Sequence, residues 1–408
     1  MAGEWREALL GDLIELKRGY DLPQQHRRPG PVPIVSSSGI TDHHAVPMVS
    51  GPGVATGRYG TLGQVFYIPE DFWPLNTTLY VRDFRGNDPR FVSYFLRGLD
   101  FLAYSDKAAV PGLNRNHLHQ AAVRFPSDVT EQRAIARILG SLDDRIELNR
   151  RINETLEAMA RALFKSWFVD FEPVRAKAEG RDPGLPSPIA DLFPVDFNEF
   201  ELGEIPAGWD WSSLADIAEL NPESWSRETR PDSIHYVDLS NVKWGHFDDV
   251  TIHTRDTAPS RAQRVLRTGD TIIGTVRPGN GSYGLVSEEG LTGSTGFAVL
   301  RPREMAYTEF VYLAATASQN IEALSHLSDG AAYPAVRPEV VSATPVVLPA
   351  YGVVARFSEL VRWQFRRAAI NDEQSRTLAA IRDALLPKLI SGEMRLKGAE
   401  PLVHEALA

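Results

Sequence analysis

The chain has 408 residues, 43% of them hydrophobic and 24% charged. That is enough apolar material for more than one buried core, and the absence of cysteine rules out disulfides, cysteine–zinc centres and thiol catalysis. Forty-three Lys+Arg against 53 Asp+Glu give a net charge of -10, which opposes the basic footprint expected of a nucleic-acid binder. The acid is unevenly placed, however. Between Asp170 and Pro206 nine acids face three bases, a local balance of −6, and the remainder is close to balance, which leaves room for a local basic face. The opening MAGEWREALLGDLIELKRG lacks the basic start and long apolar stretch of a signal peptide. No apolar run approaches the roughly 18 residues of a membrane helix, so a cytoplasmic protein is expected.

Taken in chain order, residues 1–128 are rich in Gly and Pro and carry short β-like runs at Gln64–Ile68 and Thr78–Val81, predicting a compact α+β domain. Two loops in it are candidate nucleic-acid contacts. One is the glycine-rich Gly57–Gly63 with Arg58 and Tyr59; the other holds Lys107, Asn114, Arg115, Asn116 and His117. Arginine reads guanine and asparagine reads adenine through paired hydrogen bonds in the major groove, and glycine lets backbone approach a phosphate closely. The bland alternative for both is a solvated turn. The pairs His43-His44 and His117/His119 have metal-ligand chemistry, but histidines of this kind in loops read as surface residues, and no metal is expected.

Asp128 with Glu131 three residues on is a capping-box-like start for a helix, assigned to residues 129–170. From Glu131 to Phe168 it would span roughly 57 Å at about 1.5 Å per residue, with Gly140 as a candidate bend. Residues 171–206, acidic and carrying Pro183, Pro186, Pro188 and Pro194, read as a linker. Residues 207–350 read as a second α+β domain, with β-like runs at Thr271–Ile273 and Gly296–Leu300. Its candidate contacts are Arg277, Asn280, Ser282 and Tyr283 in a glycine-rich loop, then Tyr333 and Arg337. A second helix is assigned to 351–395, with a glycine stop at Ser391-Gly392, and 396–408 is left as a tail.

The chain is internally duplicated. Leu10–Leu16 echoes Leu214–Leu220 at an offset of 204, Ala55–Gly60 resembles Gly274–Gly279, and Val110–Leu113 resembles Tyr333–Val336. The helices match best. Ile135, Leu139, Leu142, Ile146, Asn149, Asn153, Leu156, Met159 and Leu163 correspond to Phe357, Val361, Gln364, Ala368, Asn371, Ser375, Leu378, Ile381 and Leu385, always at an offset of 222. Steps alternating between three and four give a seam close to a coiled-coil repeat. Asn149 and Asn371 hold equivalent seam positions, where a polar group can fix register or else faces solvent at the margin. The expected fold class is therefore α+β: two tandem domains, each followed by a long helix, the helices pairing antiparallel with pseudo-two-fold symmetry.

Catalytic signatures are missing from the sequence. There is no GxxxxGK[ST] phosphate loop, no HExxH, and Asn221-Pro222-Glu223 does not supply the tetrapeptide of an amino-methyltransferase. No catalytic residue is assigned.

Three runs carry a resemblance. Leu163–Lys177, reading LFKSWFVDFEPVRAK, with Glu131–Ala136 and Leu142-Asp143 before it, resembles the central conserved region of type I restriction enzyme specificity subunits. Leu385–Glu393, reading LLPKLISGE, resembles their distal conserved region. The order of parts matches over nearly the whole chain. The resemblance implies two target-recognition domains, each reading one half of a bipartite, asymmetric site in double-stranded DNA, and two spacer helices that hold them apart. It also implies two modification subunits, which carry S-adenosylmethionine and methylate adenine. A translocating restriction subunit with ATP and Mg would join them, and this chain would bind no cofactor. The readings set against it are a DNA-modification enzyme acting alone, which needs a motif that is missing, and a duplicated helical adaptor that reads no DNA.

Overall fold

The computed structural model describes all residues except 1–4, 60–61, 107–111, 202, 227, 249, 329–333 and 408. It divides into two compact units, residues 1–150 with 372–408 (unit 1) and residues 151–371 (unit 2). The division passes through the middle of both long helices, Val129–Phe168 and Tyr351–Ile390, not between domain and helix as the sequence suggested.

Unit 1 contains a four-stranded antiparallel sheet in the order Glu15–Arg18, Thr78–Asp83, Gly53–Gly57, Val65–Ile68. A second sheet places Val32–Ser36 antiparallel to Gly39–His44 and parallel to Trp73–Pro74. Trp5–Leu9 pairs with Ala122–Pro126. Unit 2 repeats this plan. Its first sheet runs Ala218–Leu220, Phe297–Pro302, Thr271–Gly274, Tyr283–Leu285. In its second, Ser233–Val237 is antiparallel to Thr251–Thr254 and parallel to Leu291–Ser294. Asp210–Ser213 pairs with Pro345–Leu348. The strands read from the sequence all form, and the duplication is one of topology as well as of sequence.

The long helices pair antiparallel within each unit. In unit 1, Ile135, Leu139 and Leu142 of the first helix are buried in one cluster with Leu378 and Leu385 of the second, and Ile146 packs half-buried against it. Asp143 ties three helices together. It accepts hydrogen bonds from Tyr94 Oη (2.6 Å) and Arg97 (3.0 Å) on Pro89–Arg97, and from Arg382 (2.7 Å) on the second long helix. Burial alone would raise its pKa. The bonds from Tyr94 and Arg382 and the charge of Arg97 outweigh burial and hold the carboxyl below its ordinary value. In unit 2 the helix contact is aromatic. Phe357 lies 4.9 Å from Phe168 and 6.1 Å from Phe164 between ring centroids, with Leu163 and buried Val361 in the same cluster.

The polar seam positions are buried, not marginal: Asn149 is 1% exposed and Asn371 0%. In unit 1, Asn149 Nδ2 donates to Gln374 Oε1 (3.0 Å) and Ser375 Oγ (3.2 Å). In unit 2, Asn371 Nδ2 donates to Asn153 Oδ1 (2.8 Å), and Asn153 Nδ2 donates to the carbonyl of Ala368 (3.1 Å).

Four expectations change. The stripe of the first helix does not pass through Met159, which is exposed; Leu156, Ala160, Phe164 and Trp167 are the buried positions. Steps of four after Leu156 follow the 3.6-residue period of a straight helix more closely than the 3.5-residue seam does. Gly140 does not break the helix. The Arg90 guanidinium donates to its carbonyl (3.1 Å), and a Cβ at Gly140 would stand 2.5 Å from that guanidinium, so the glycine makes room. Asp128 does cap the helix, accepting from the Thr130 amide (2.8 Å), whereas Glu131 accepts from the Trp5 indole (3.3 Å) and does not close a capping box.

The fourth change concerns the segment read as a linker. It forms helices Glu172–Ala178 and Ser187–Ala190 and buries Phe171, Val174, Ile189, Phe193 and Ile205 in the unit 2 core with Trp209. Pro173, Pro186 and Pro188 stand at helix starts, where a missing amide costs nothing. The tail likewise forms helix Leu396–Leu407 and buries Ala399 and Val403 in unit 1.

Candidate nucleic-acid interface

In unit 1 the two candidate loops meet. Past strand Gly53–Gly57, the Arg58 amide donates to the carbonyl of Thr77 (2.8 Å), and the Arg58 carbonyl accepts from the amide of Leu113 (2.9 Å). Tyr59 then bridges to Gly112. The Arg58 guanidinium lies 4.6 Å over the Tyr59 ring, a cation–π contact that holds both side chains at the surface. A Cβ at Gly112 would stand 2.5 Å from that ring, which explains the glycine. Asn114 is spent on structure, since its Oδ1 accepts from the Asn116 amide (3.0 Å) and caps the short helix Arg115–His119. Arg115, Asn116 and His117 stay exposed on that helix while Leu118 anchors it. Lys107 lies outside the described residues.

Unit 2 brings its loops together in the same way. The Thr275 amide donates to the carbonyl of Gly296 (2.8 Å), the Val336 amide donates to the carbonyl of Thr275 (2.9 Å), and Val276 bridges to Ala335. These bonds make Thr275, not Arg277, the counterpart of Arg58. The sequence match of the two arginines is two residues out of register, because strand pairing ends at Gly57 and Gly274. Arg277 is nevertheless exposed. It sits at φ +47° before the single turn Pro278–Asn280, with its amide bonded to the carbonyl of Pro334 (2.9 Å). Asn280 is exposed beside it, and exposed Arg337 precedes helix Pro338–Ser342.

Two candidates are corrected. Ser282 is 4% and Tyr283 7% exposed. Ser282 Oγ donates to the carbonyl of Leu239 (2.8 Å) and accepts from Lys243 Nζ (2.9 Å), and the Tyr283 ring belongs to the core, its hydroxyl pKa raised by burial. The strand Tyr283–Leu285 had already begun where the sequence still read as loop. Tyr333 lies outside the described residues.

One member of each histidine pair serves structure. His119 Nε2 accepts from the Leu16 amide (2.9 Å) and His44 Nδ1 from the Arg28 amide (3.0 Å). Burial, with the charge of Arg115, holds His119 below its ordinary pKa, as suits a neutral acceptor. Among the described residues no cluster of His, Asp or Glu is arranged for a metal ion, and no helix is long and apolar enough to cross a membrane.

Sequence reasoning missed one element. Between Ser233–Val237 and Thr251–Thr254, unit 2 inserts a hairpin, Val242–Lys243 against His246–Phe247, with Trp244 and Gly245 at its tip. The available signal was a two-residue turn ending in glycine between β-prone pairs.

A family model described as "Type I restriction modification DNA specificity domain" matches residues 2–158. The type I restriction enzyme HindI specificity subunit of Haemophilus influenzae is 26% identical over 344 residues, covering 72% of this chain and 73% of that protein. The MjaIX specificity subunit of Methanocaldococcus jannaschii is 25% identical over 308 residues, 72% of this chain and 65% of that protein. In fold, the S subunit of a type I restriction–modification system from M. genitalium aligns with TM-score 0.59 and 16% identity over 95% of this chain and 96% of that one.

The chain is related over most of its length to the type I restriction enzyme specificity subunits, and residues 2–158 carry their DNA specificity domain. It is a DNA-specificity component of a type I restriction–modification system, works with DNA and the partner subunits of that system, and is non-catalytic, the chemistry sitting on those partners.

Proposed function

We propose that each unit reads one half of a bipartite, asymmetric site in double-stranded DNA through its paired loops, and that the long helices serve as spacer and as the seat for two modification subunits. The observation that carries this is the shared backbone scheme of the two interfaces. In both, the residue after the sheet's third strand is tied to the segment before a short helix, at 2.9 Å in each case. The side chains on that scheme differ. Arg58, Tyr59, Arg115, Asn116 and His117 stand in one unit, and Arg277, Asn280 and Arg337 in the other, so the two half-sites differ. Asn149 and Asn371, hydrogen-bonded in the helix seam, fix the register of the helices.

The modification subunits supply S-adenosylmethionine and methylate adenine, a restriction subunit supplies ATP- and Mg-dependent translocation, and the assembly works in the cytoplasm. The net charge of -10 fits a subunit whose partners make many of the phosphate contacts. Co-expression with a modification subunit of the same system, followed by mapping of methylated adenine, tests the reading. A two-part motif with a fixed unspecified gap is expected. A continuous motif, or no motif, would sink it.

A further inference from the structure

We propose that Trp244 is a DNA-contacting residue of unit 2, its indole covering base edges of the half-site that this unit reads; this rests on the reading just given. The segment that joins Ser233–Val237 to Thr251–Thr254 carries Trp244. The matching strands of unit 1, Val32–Ser36 and Gly39–His44, are joined by Ser37 and Ser38 alone. The inserted hairpin is thus a feature of one reader and not of the repeated scaffold.

The geometry of the tip favours a ligand over a buried role. Trp244 is 59% exposed although the largest side chains normally hide, and it sits at φ +51°, the left-handed conformation that a tight two-residue hairpin turn imposes on its central positions. The turn is held in place. The Trp244 amide donates to the carbonyl of Gly281 (2.7 Å) and the Gly245 amide to that of Tyr283 (2.9 Å), and the indole meets the buried Tyr283 ring edge-on at 5.8 Å. Gly281, at φ +69°, leaves room for the indole, since a Cβ there would stand 2.5 Å from it. The hairpin is therefore bonded to the turn that begins at exposed Arg277 and includes exposed Asn280.

Charge agrees with a polyanion. Lys243 Nζ is fixed at the foot of the hairpin by Ser282 Oγ (2.9 Å) and the carbonyl of Asn280 (3.4 Å). The nearby acid Asp248 faces His246 (3.7 Å), and Glu157, beneath Gly245, is paired with Arg161 (2.6 Å). An aromatic face flanked by cations contacts bases by stacking or by covering thymine methyl groups. In unit 1 the short helix carries Arg115, Asn116 and His117, whereas the equivalent places in unit 2 hold Pro338, Glu339 and Val340. That helix offers no such polar row in unit 2, and the hairpin adds a contact beside Arg277 and Asn280.

The test uses the chain co-purified with its modification subunit, and duplexes carrying the site mapped by methylated-adenine sequencing. Binding is read by fluorescence anisotropy for wild type, Trp244→Ala, Trp244→Phe and Trp244→Leu, on the intact site and on sites altered in either half. Trp244→Ala should weaken binding about tenfold and lose discrimination in one half-site only. Trp244→Phe should stay within about threefold, and subunit assembly by size exclusion should be unchanged. Binding of Trp244→Ala within about twofold of wild type, an equal loss in both halves, or a failure to assemble with the modification subunit would overturn the proposal; the last would make Trp244 a protein contact. If Trp244→Ala does not fold, Phe against Leu decides, and equal binding by those two counts against it. A wild-type complex that prefers no sequence would sink the proposed function itself, a result distinct from a variant that binds like wild type.

Discussion

The two units share a backbone and differ in what they hang on it. From Gly112 to Ala121 in unit 1 and Ala335 to Thr344 in unit 2 the correspondence holds at a constant offset of 223. The Leu10 amide donates to the carbonyl of Ala121 (2.9 Å) and the Leu214 amide to that of Thr344 (3.1 Å); Leu118 and Val341 are both buried anchors. Within that frame Asn114 is matched by Arg337, Asn116 by Glu339 and His119 by Ser342. Buried positions keep their character because packing tolerates little change in volume. Exposed positions are free of that constraint, which on the proposed reading lets one scaffold read two sequences.

The comparison can be pressed hardest at the helix seams. Phe357→Ala removes the ring at the centre of unit 2's aromatic cluster and should cost about 3–5 kcal/mol; Leu139→Ala, in unit 1's aliphatic seam, should cost about 2–5 kcal/mol. Denaturant unfolding of the purified chain measures both. Equal and small losses would contradict the packing described. Next in size, Arg115→Ala and Arg277→Ala should each reduce discrimination by about 1–3 kcal/mol, each in a different half-site. If the two arginines affected the same half-site, the assignment of one reader to each unit would fail.

Asn371→Ala should cost about 1–3 kcal/mol by removing the Nδ2 donor that Asn153 Oδ1 accepts from in a buried seam. A second seam variant, Asn371→Leu, tests register, since it should leave stability higher than the alanine variant yet broaden the methylated gap. The smallest effect is one of pH. His119 is held neutral below its ordinary pKa by burial, so the unfolded chain takes up more protons as the pH falls below about 6.5. The stability this site contributes is present above that pH and lost below it. His119→Gln should flatten the fall in Tm on the acid side. Ser342, at the matching place in unit 2, does not titrate, so Ser342→Ala should leave the acid slope as it is.

Periodicity and pairing of like with like made much of the fold legible. The helices were readable because apolar residues recur on one face over forty positions, a signal that survives local exceptions such as Met159. The strands were readable from β-branched runs between glycines. The segment 171–206 was misread because four prolines and an excess of acid mark a linker by composition, while the property that decided its place, five apolar residues spaced to reach one core, has no fixed period. The register of Arg58 against Arg277 was misread because like residues were aligned where only hydrogen bonding determines equivalence.

By itself, the sequence determined the duplication, the two long helices and the family, since each is written in repeats or in contiguous runs such as Leu163–Lys177. Only the tertiary structure decided that the loops around Arg58 and Gly112 meet, that Ser282 and Tyr283 are buried while Trp244 is not, and that the compact units divide in mid-helix. These depend on contacts between residues tens to hundreds of positions apart, where a strand's neighbour and a side chain's exposure are set by the rest of the chain and not by its own stretch of it.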